Sequence, residues 1–191
     1  MMEKKDIDGL IRALRSPDID VYTGAAQALG TLGPEAVDRL VGAIRTKNKS
    51  VKLGIIGALS VIRDPRSVQP LVETLEDKNS EVRWQAAIAL GEIGYTQAIE
   101  PLVRALRDSD KYVRYSAAFS LAKMEWVPTG ALDRAYYFIG MQEWRAVKNI
   151  GKPAIPALNH LLSDRDSNVR LKAIELLGEI GDPDATPALI R

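Results

Sequence analysis

The sequence predicts an all-α chain of stacked helical hairpins, and two observations support this fold class. Within residues 65–94, apolar side chains follow the i, i+3, i+4, i+7 spacing of amphipathic helices in two segments, which the polar residues 76–80 separate. This unit then recurs along the chain. Because one hairpin cannot bury both of its apolar stripes alone, the copies must stack on one another. The expected architecture is a helical solenoid.

Five copies of the hairpin align on a valine of the second helix, about every 31 residues, with a last interval nearly twice as long. The anchors are Val21, Val51, Val82, Val113 and Val169. Positions four, five, eight and eleven after each anchor are predicted to be core. Three positions before each anchor stands Asp or Asn, which predicts a side-chain cap for the second helix worth about 1 kcal/mol. These caps are Asp18, Asn48, Asn79, Asp110 and Asp166.

We expect a single domain that covers residues 1–191. Its predicted parts are repeats at 4–33, 34–64, 65–95, 96–126 and 152–182, a degenerate insertion at 127–151 and a truncated half-repeat at 183–191. The second repeat carries Gly54 and Gly57 in its second helix, where each glycine lowers helix propensity by about 1 kcal/mol. This repeat is therefore either the least stable, or its glycines let a partner backbone approach closely.

Three irregular stretches give more specific expectations. In the fourth repeat, the second helix is expected to extend to about Trp126, since no glycine stops it. The insertion is predicted to form two short helices with a bend near Gly140 to Gln142, and one continuous helix is the alternative. At the end of the chain, residues 188–190 would have no second helix to cover them. We expect either a longer array or a truncated chain there, or a half-repeat that packs as a lid. An uncovered half-repeat at 183–191 could also pair with a copy of itself, which predicts self-association as an alternative.

Bulk composition excludes several classes of partner. The formal net charge is +1, from 26 basic and 25 acidic residues, so no global field attracts nucleic acid or a membrane surface. The chain has no cysteine, which excludes a disulfide framework and a thiolate nucleophile and fits a cytoplasmic location. No apolar run approaches the ~20 residues that a membrane span needs.

The repeated columns DxxVRxxAAxALGxIGD, seen in residues 79–95 and 166–182, resemble the HEAT-like repeats named after phycobilisome bilin lyases, which are common in archaea and bacteria. The resemblance covers nearly the whole chain. The segment AYYFIGMQEW is similar to an insertion in some prokaryotic members. The resemblance implies a right-handed α-α superhelix with first helices on the convex side and second helices on the concave side. It implies no single function, since members include lyase subunits and scaffolds.

No catalytic residue, metal site or cofactor is predicted. The only histidine, His160, falls in a column that we interpret as solvated surface. The related deoxyhypusine hydroxylases bind iron through paired His-Glu motifs. Here Leu161 follows the histidine and no second histidine exists, which excludes that activity. Carboxylate pairs such as Asp108 with Asp110 are better explained by helix capping and by pairing with the arginine that follows each anchor.

The remaining candidate for function is the surface of the second helices. Side chains two and six positions after each anchor should face outward, and those of repeats two to four are apolar or aromatic. The predicted partner-binding residues are Leu53, Trp84, Ile88, Tyr115 and Phe119 from these columns, together with Tyr112, which directly precedes an anchor. We interpret them as an aromatic and apolar patch on the expected concave face, the site of a non-catalytic protein–protein interaction scaffold that binds a helix or peptide. The alternatives are a bilin-lyase-like subunit that holds a planar ligand there, and a structural or self-associating module whose aromatic residues are buried or covered by residues 131–151.

Overall fold

The computed structural model describes residues 6–181, and this part of the chain is helical with no strand, which confirms the all-α fold class. Twelve α-helices lie within it: α1 Ile7–Ala13, α2 Ile19–Thr31, α3 Val37–Ala43, α4 Lys49–Ile62, α5 Val68–Thr74, α6 Ser80–Ile93, α7 Ile99–Ala105, α8 Lys111–Lys123, α9 Ala131–Gly140, α10 Trp144–Ile150, α11 Ile155–Leu161 and α12 Ser167–Ile180. Short 3₁₀ turns precede α3, α5, α7 and α11. No helix among these is long and apolar enough to cross a membrane.

Each predicted repeat is a hairpin of a short first helix and a longer second helix. The first helices have 7 residues and the second helices 13 or 14. Leu59, Leu90 and Leu121, which occupy the same column of successive repeats, expose none of their surface. Burial of each such side chain contributes about 1.5–3 kcal/mol. The register read from the sequence is therefore the register of the core.

All five predicted capping side chains accept hydrogen bonds at the start of a second helix. Asn48 Oδ1 accepts from the N–H of Val51 at 3.0 Å, and Asn79 Oδ1 accepts from that of Glu81 at 2.9 Å. Asp18, Asp110 and Asp166 do the same in α2, α8 and α12. These bonds satisfy backbone donors that have no partner inside the helix, which confirms the capping assignment.

The chain groups into two compact units, which we call the first unit (1–101) and the second unit (102–191). In the first unit, α1 pairs with α2, α3 with α4 and α5 with α6, and the second helices α2, α4 and α6 pack side by side. In the second unit, α8 packs on α9, α9 on α10 and α11 on α12. Within that unit, α9 also contacts α11, and α10 contacts α12.

The insertion forms two helices, α9 and α10, as predicted, and not one. The chain turns at Gln142, whose φ is +59°, and the N–H of Glu143 donates to the carbonyl oxygen of Phe138 at 2.9 Å. Gly140 is needed immediately before this turn, because a Cβ there would lie 2.8 Å from the carbonyl oxygen of Arg114 in α8. The missing side chain lets α9 approach the backbone of α8.

The prediction that the fourth repeat's second helix extends to about Trp126 is wrong. α8 ends at Lys123, and Glu125 adopts a left-handed φ of +56° without being a glycine. The N–H of Trp126 donates to the carbonyl oxygen of Leu121 at 3.0 Å, which closes the helix end. The indole then packs on Tyr137 of α9, with ring centroids 5.9 Å apart.

Two side chains, one in the anchor column and one in a core column, are largely exposed. Val21 is 47% exposed, whereas the equivalent Val51 and Val82 are buried. Ile174 is 45% exposed, whereas the equivalent Ile56 is buried. Within the described residues, these two side chains lie on the sides of α2 and α12 on which no further hairpin packs. The prediction for residues 188–190 lies outside the described residues.

Candidate functional site

Three of the six predicted partner-binding side chains lie together on the outer side of α8, in the second unit. Tyr112 is 61% exposed, Tyr115 45% and Phe119 48%. Their i, i+3, i+7 spacing places them in one row, while Val113 and Ala117 on the opposite side are fully buried. The rings of Tyr115 and Phe119 stack at 6.3 Å between centroids, with 21° between their planes. The helical period therefore produces a solvent-facing aromatic row, which we call the α8 row.

A cation and its carboxylate partner lie at the N-terminal end of the α8 row. The ammonium of Lys111 lies 5.2 Å from the centroid of the Tyr112 ring and pairs with Asp166, the cap of α12. The hydrogen bond from Lys111 lowers the pKa of Asp166, and the same bond raises the pKa of Lys111. A shallow cleft of about 350 Å³ opens between these loops. The pair connects the start of α8 to the start of α12.

Beneath this pair lies a buried ion pair that fixes the position of α8. Arg114 Nη2 lies 2.7 Å from Asp164 Oδ2, and the two side chains are 3% and 2% exposed. Arg114 Nη1 also donates to the carbonyl oxygen of Asp108 at 2.8 Å. Asp164 Oδ1 accepts from the N–H of Asp166 at 2.8 Å. Repeats four and five therefore meet directly at this edge of the second unit, although α9 and α10 lie between them in sequence.

The other three predicted residues, Leu53, Trp84 and Ile88, lie in the first unit and are each half-buried. Leu53 is on α4, and Trp84 and Ile88 are on the neighbouring α6. The expectation that these side chains face outward agrees with this partial exposure. They are less accessible than the α8 row, because α4 and α6 pack side by side and each covers part of the other.

Two ion pairs fix the register between α4 and α6. Lys49 pairs with Glu81 near the starts of the helices, and Arg63 Nη2 lies 2.9 Å from Glu92 Oε2 near their ends. Between these pairs, Lys52 bonds Asp77 deeper in the structure, where their side chains are 20% and 10% exposed. Burial raises the pKa of Asp77, but the hydrogen bonds from Lys52 and from the N–H of Asn79, together with the charges of Lys52 and Lys78, outweigh burial and leave that pKa below its ordinary value.

The two glycines of α4 differ in their surroundings. A Cβ on Gly54 would lie 2.5 Å from Cδ2 of Leu14, so this glycine admits a buried side chain of the preceding hairpin. Gly57 is exposed, and a Cβ there would meet no atom within 4 Å. Gly54 is therefore explained by packing within the chain, and the approach of a partner backbone stays a prediction. Gly57 leaves open space between Leu53 and Val61, which is 66% exposed.

Sequence reasoning missed an aromatic cluster around the insertion. Trp126 packs on Tyr137, and Tyr137 packs edge-on against Phe138 at 5.6 Å between centroids. All three side chains are half-buried, and the neighbouring Val127 is 74% exposed. The signal in the sequence was that Tyr137 falls off the apolar stripe of its own helix. Although α9 packs on α8, Tyr115 and Phe119 of α8 stay about half exposed.

The only histidine has the exposed position that its column predicted. His160 lies on α11, and its ring meets the edge of Tyr136 at 6.1 Å between centroids. Arg107 in turn lies 4.9 Å from the centroid of Tyr136 and pairs with Asp133 at 3.1 Å. Among residues 6–181, no three His, Cys, Asp or Glu side chains are grouped as metal ligands would be.

The sequence pattern of the HEAT-repeat family matches residues 7–80, 70–133 and 144–191, which together make up most of the chain. The chain belongs to the HEAT-repeat family. The predicted resemblance is confirmed at this level, and the phycobilisome-lyase type stays a prediction.

Several solved structures are similar to the chain. Human deoxyhypusine hydroxylase in complex with glycerol is 21% identical over 96% of this chain and 76% of its own, with a TM-score of 0.54. An engineered protein is 25% identical over 97% and 84% of the two chains, with a TM-score of 0.45. A computationally designed armadillo repeat protein for modular peptide recognition is 20% identical over 96% and 90%, with a TM-score of 0.41. No curated protein matches the chain.

Proposed function

We propose that this chain is a non-catalytic scaffold that binds a helix or peptide of another protein through the outer face of its second helices. The observation that carries the proposal is the α8 row, in which Tyr112, Tyr115 and Phe119 are each 45–61% exposed on a single helix. Tyrosine is among the residues enriched where protein interfaces gain most of their binding energy. A row of three aromatic side chains on one folded helix supports a docking surface better than a ligand pocket.

The supporting structure makes this row rigid. The buried pair of Arg114 with Asp164 holds α8 in place, and the exposed rings extend from that fixed backbone. A preorganised surface loses less conformational entropy on binding than a flexible one. Tyr115 and Phe119 are the proposed anchors in the second unit, and Trp84 is a proposed anchor in the first unit. The bilin-lyase-like and self-associating alternatives gain no support from the site.

The test compares affinity capture from cells of the source organism with four forms of the chain. The wild type and a surface control, Val127→Ser, should retain the same partner, whereas Phe119→Ser and Tyr115→Ser should lose it. The purified partner should then bind the wild type at least about tenfold more tightly than Phe119→Ser, since an interface anchor contributes 1–2 kcal/mol or more. Equal binding of a purified partner to the wild type and both α8 variants would refute this site.

A further inference from the structure

Two ion pairs between successive hairpins join the same two columns of the repeat. In the first unit, Lys52 stands one position after its anchor and pairs with Asp77 of the next turn. In the second unit, Arg114 stands one position after its anchor, and its Nη2 lies 2.7 Å from Asp164 Oδ2. Asp77 and Asp164 both stand five positions before an anchor. A cation after the anchor therefore binds an aspartate in the turn of the hairpin that packs beside it.

The first two repeats carry neither charge in these columns. Tyr22 takes the place of the cation, and Thr46 takes the place of the aspartate in the turn that follows. The cation is thus absent where the next turn supplies no carboxylate. The physical reason is that a cation covered by the next hairpin needs a counter-charge.

The aspartate of each such turn divides its two oxygens between two partners. Oδ1 of Asp77 accepts from the N–H of Asn79 at 2.8 Å, and Oδ1 of Asp164 accepts from that of Asp166 at 2.8 Å. Oδ2 binds the cation of the preceding hairpin. Asn79 and Asp166 then cap the second helix. The group that the cation recognises is therefore an Asp-x-Asp or Asp-x-Asn turn at the start of a helix.

Arg170 has the position of Arg114 in the fifth repeat but no such partner. Nη1 of Arg170 donates to the carbonyl oxygen of Asp164 at 2.8 Å, just as Nη1 of Arg114 donates to that of Asp108. This shared contact gives the two guanidinium groups the same orientation relative to their own turns. Nη2 of Arg170 is thus oriented like the nitrogen that binds Asp164 in Arg114, yet no carboxylate within residues 6–181 pairs with it.

An uncovered apolar side chain lies one turn beyond Arg170 on the same side of α12. Ile174 is about half exposed, whereas Ile56 and Ala118 in the same column are buried. In α8, this column lies beneath the next helix, because a Cβ on Gly140 of α9 would lie 2.9 Å from Cβ of Ala118. This side of α12 therefore has the two features that the neighbouring hairpin covers elsewhere in the chain.

We propose that this side of α12 binds a helical hairpin of a partner protein through an Asp-x-Asp or Asp-x-Asn turn. The first carboxylate of that turn pairs with Nη2 of Arg170, and the helix after the turn packs on Ile174. The surface consists of other residues than the α8 row, so its role does not depend on the proposed function. A second copy of this chain is a poorer partner, because its first turn has the neutral Ser16 in the aspartate column.

The experiment measures binding of the whole chain to a displayed library of designed three-hairpin repeat proteins. The first hairpin of each member copies residues 65–94, with the turn positions 77–79 randomised. Retained members should carry Asp at the first of these positions and Asp or Asn at the third. Arg170→Met should weaken their binding at least about tenfold, because it leaves the carboxylate of the turn without its partner.

Three further variants separate the charge of Arg170 from general effects. Arg170→Lys should retain most of the affinity, because Lys52 binds Asp77 in the same two columns. Arg134→Met removes an exposed arginine of α9 and should leave the affinity unchanged. Phe119→Ser alters the α8 row and should also leave it unchanged. Far-UV circular dichroism verifies that each variant keeps its helical fold.

Several results would overturn this assignment. Retained turns without Asp at the first position would do so, as would equal affinities of Arg170→Met and the wild type. A library without any member that binds with a Kd below about 1 mM would also exclude it. Self-association of the chain that Arg170→Met abolishes would assign this side of α12 to a second copy instead. Each of these results leaves the α8 row and the proposed function standing.

Discussion

Removal of the carboxylate of Asp164 should destabilise the second unit more than any single change at its surface. The group pairs with Arg114 at 2.7 Å, and both side chains are almost fully buried. When one partner of a buried ion pair is removed, the other charge is left without compensation, at a cost of about 3–5 kcal/mol. Asp164→Ala should therefore lower the free energy of unfolding by about 4 kcal/mol.

Two further variants divide this effect into its parts. Asp164→Asn keeps an oxygen that can accept from the N–H of Asp166 and removes only the charge, so it should cost about 1 kcal/mol less than the alanine variant. The double variant Arg114→Met with Asp164→Leu removes both charges and replaces them with apolar groups. It should recover most of the loss, because no uncompensated charge remains.

The assay is urea denaturation followed by far-UV circular dichroism, together with tryptophan fluorescence from Trp126 and Trp144 in the second unit. Lys172→Ala is the control, since it breaks an exposed i, i+3 pair with Glu175 at 2.8 Å and should cost less than about 0.5 kcal/mol. A loss below about 1 kcal/mol for Asp164→Ala would refute the reasoning, because it would mean that water reaches Arg114 freely.

Three further predictions concern glycines and acid stability. Gly57→Ala should raise the free energy of unfolding by about 1 kcal/mol through helix propensity. Gly54→Ala should lower the free energy of unfolding by about 1 kcal/mol, because the new Cβ crowds a buried leucine. The shift of the urea midpoint measures both effects, and equal shifts would contradict the contact geometry. Gly140→Ala should lower the free energy of unfolding by about 3 kcal/mol, since the new Cβ would lie against backbone that cannot move aside. Thermal melting measures this loss, and an unchanged midpoint would show that α9 does not approach α8 so closely. The pKa of Asp77 is lowered in the folded chain, so its contribution to stability is complete above the ordinary carboxyl pKa of about 4 and is lost as the pH falls through the lower folded value. Unfolding measured from pH 6 to pH 2 should accordingly depend less on pH in Asp77→Asn than in the wild type, and identical pH profiles would exclude a role for the Lys52 pair.

The sequence was sufficient for the repeats because each local signal has a short-range cause. The leucine columns report the helical period, and the caps at Asn48 and Asn79 act on backbone groups two or three residues away. The two helices of the insertion could be predicted for the same reason, since the bend near Gln142 interrupts both apolar stripes. Such signals need no knowledge of which hairpin lies beside which.

The same reasoning failed where the deciding contact is distant in sequence. Just beyond the end of α8, Trp126 packs on Tyr137 of the following helix, a contact that no local pattern at Lys123 indicates. The different surroundings of Gly54 and Gly57 depend on where Leu14 of the preceding hairpin lies. From sequence alone, Gly54 and Gly57 had the same two possible explanations.

The sequence alone determined the all-α repeat fold, its register and the outward position of the aromatic columns, because helical periodicity and capping act within a few residues. Only the tertiary structure decided that Arg114 meets Asp164 past an intervening pair of helices, and that Lys49 and Arg63 pair with Glu81 and Glu92 of the next repeat. Those arrangements arise from side chains about 30 to 50 residues apart, brought together by the stacking of hairpins, and stacking geometry is not encoded in any single repeat.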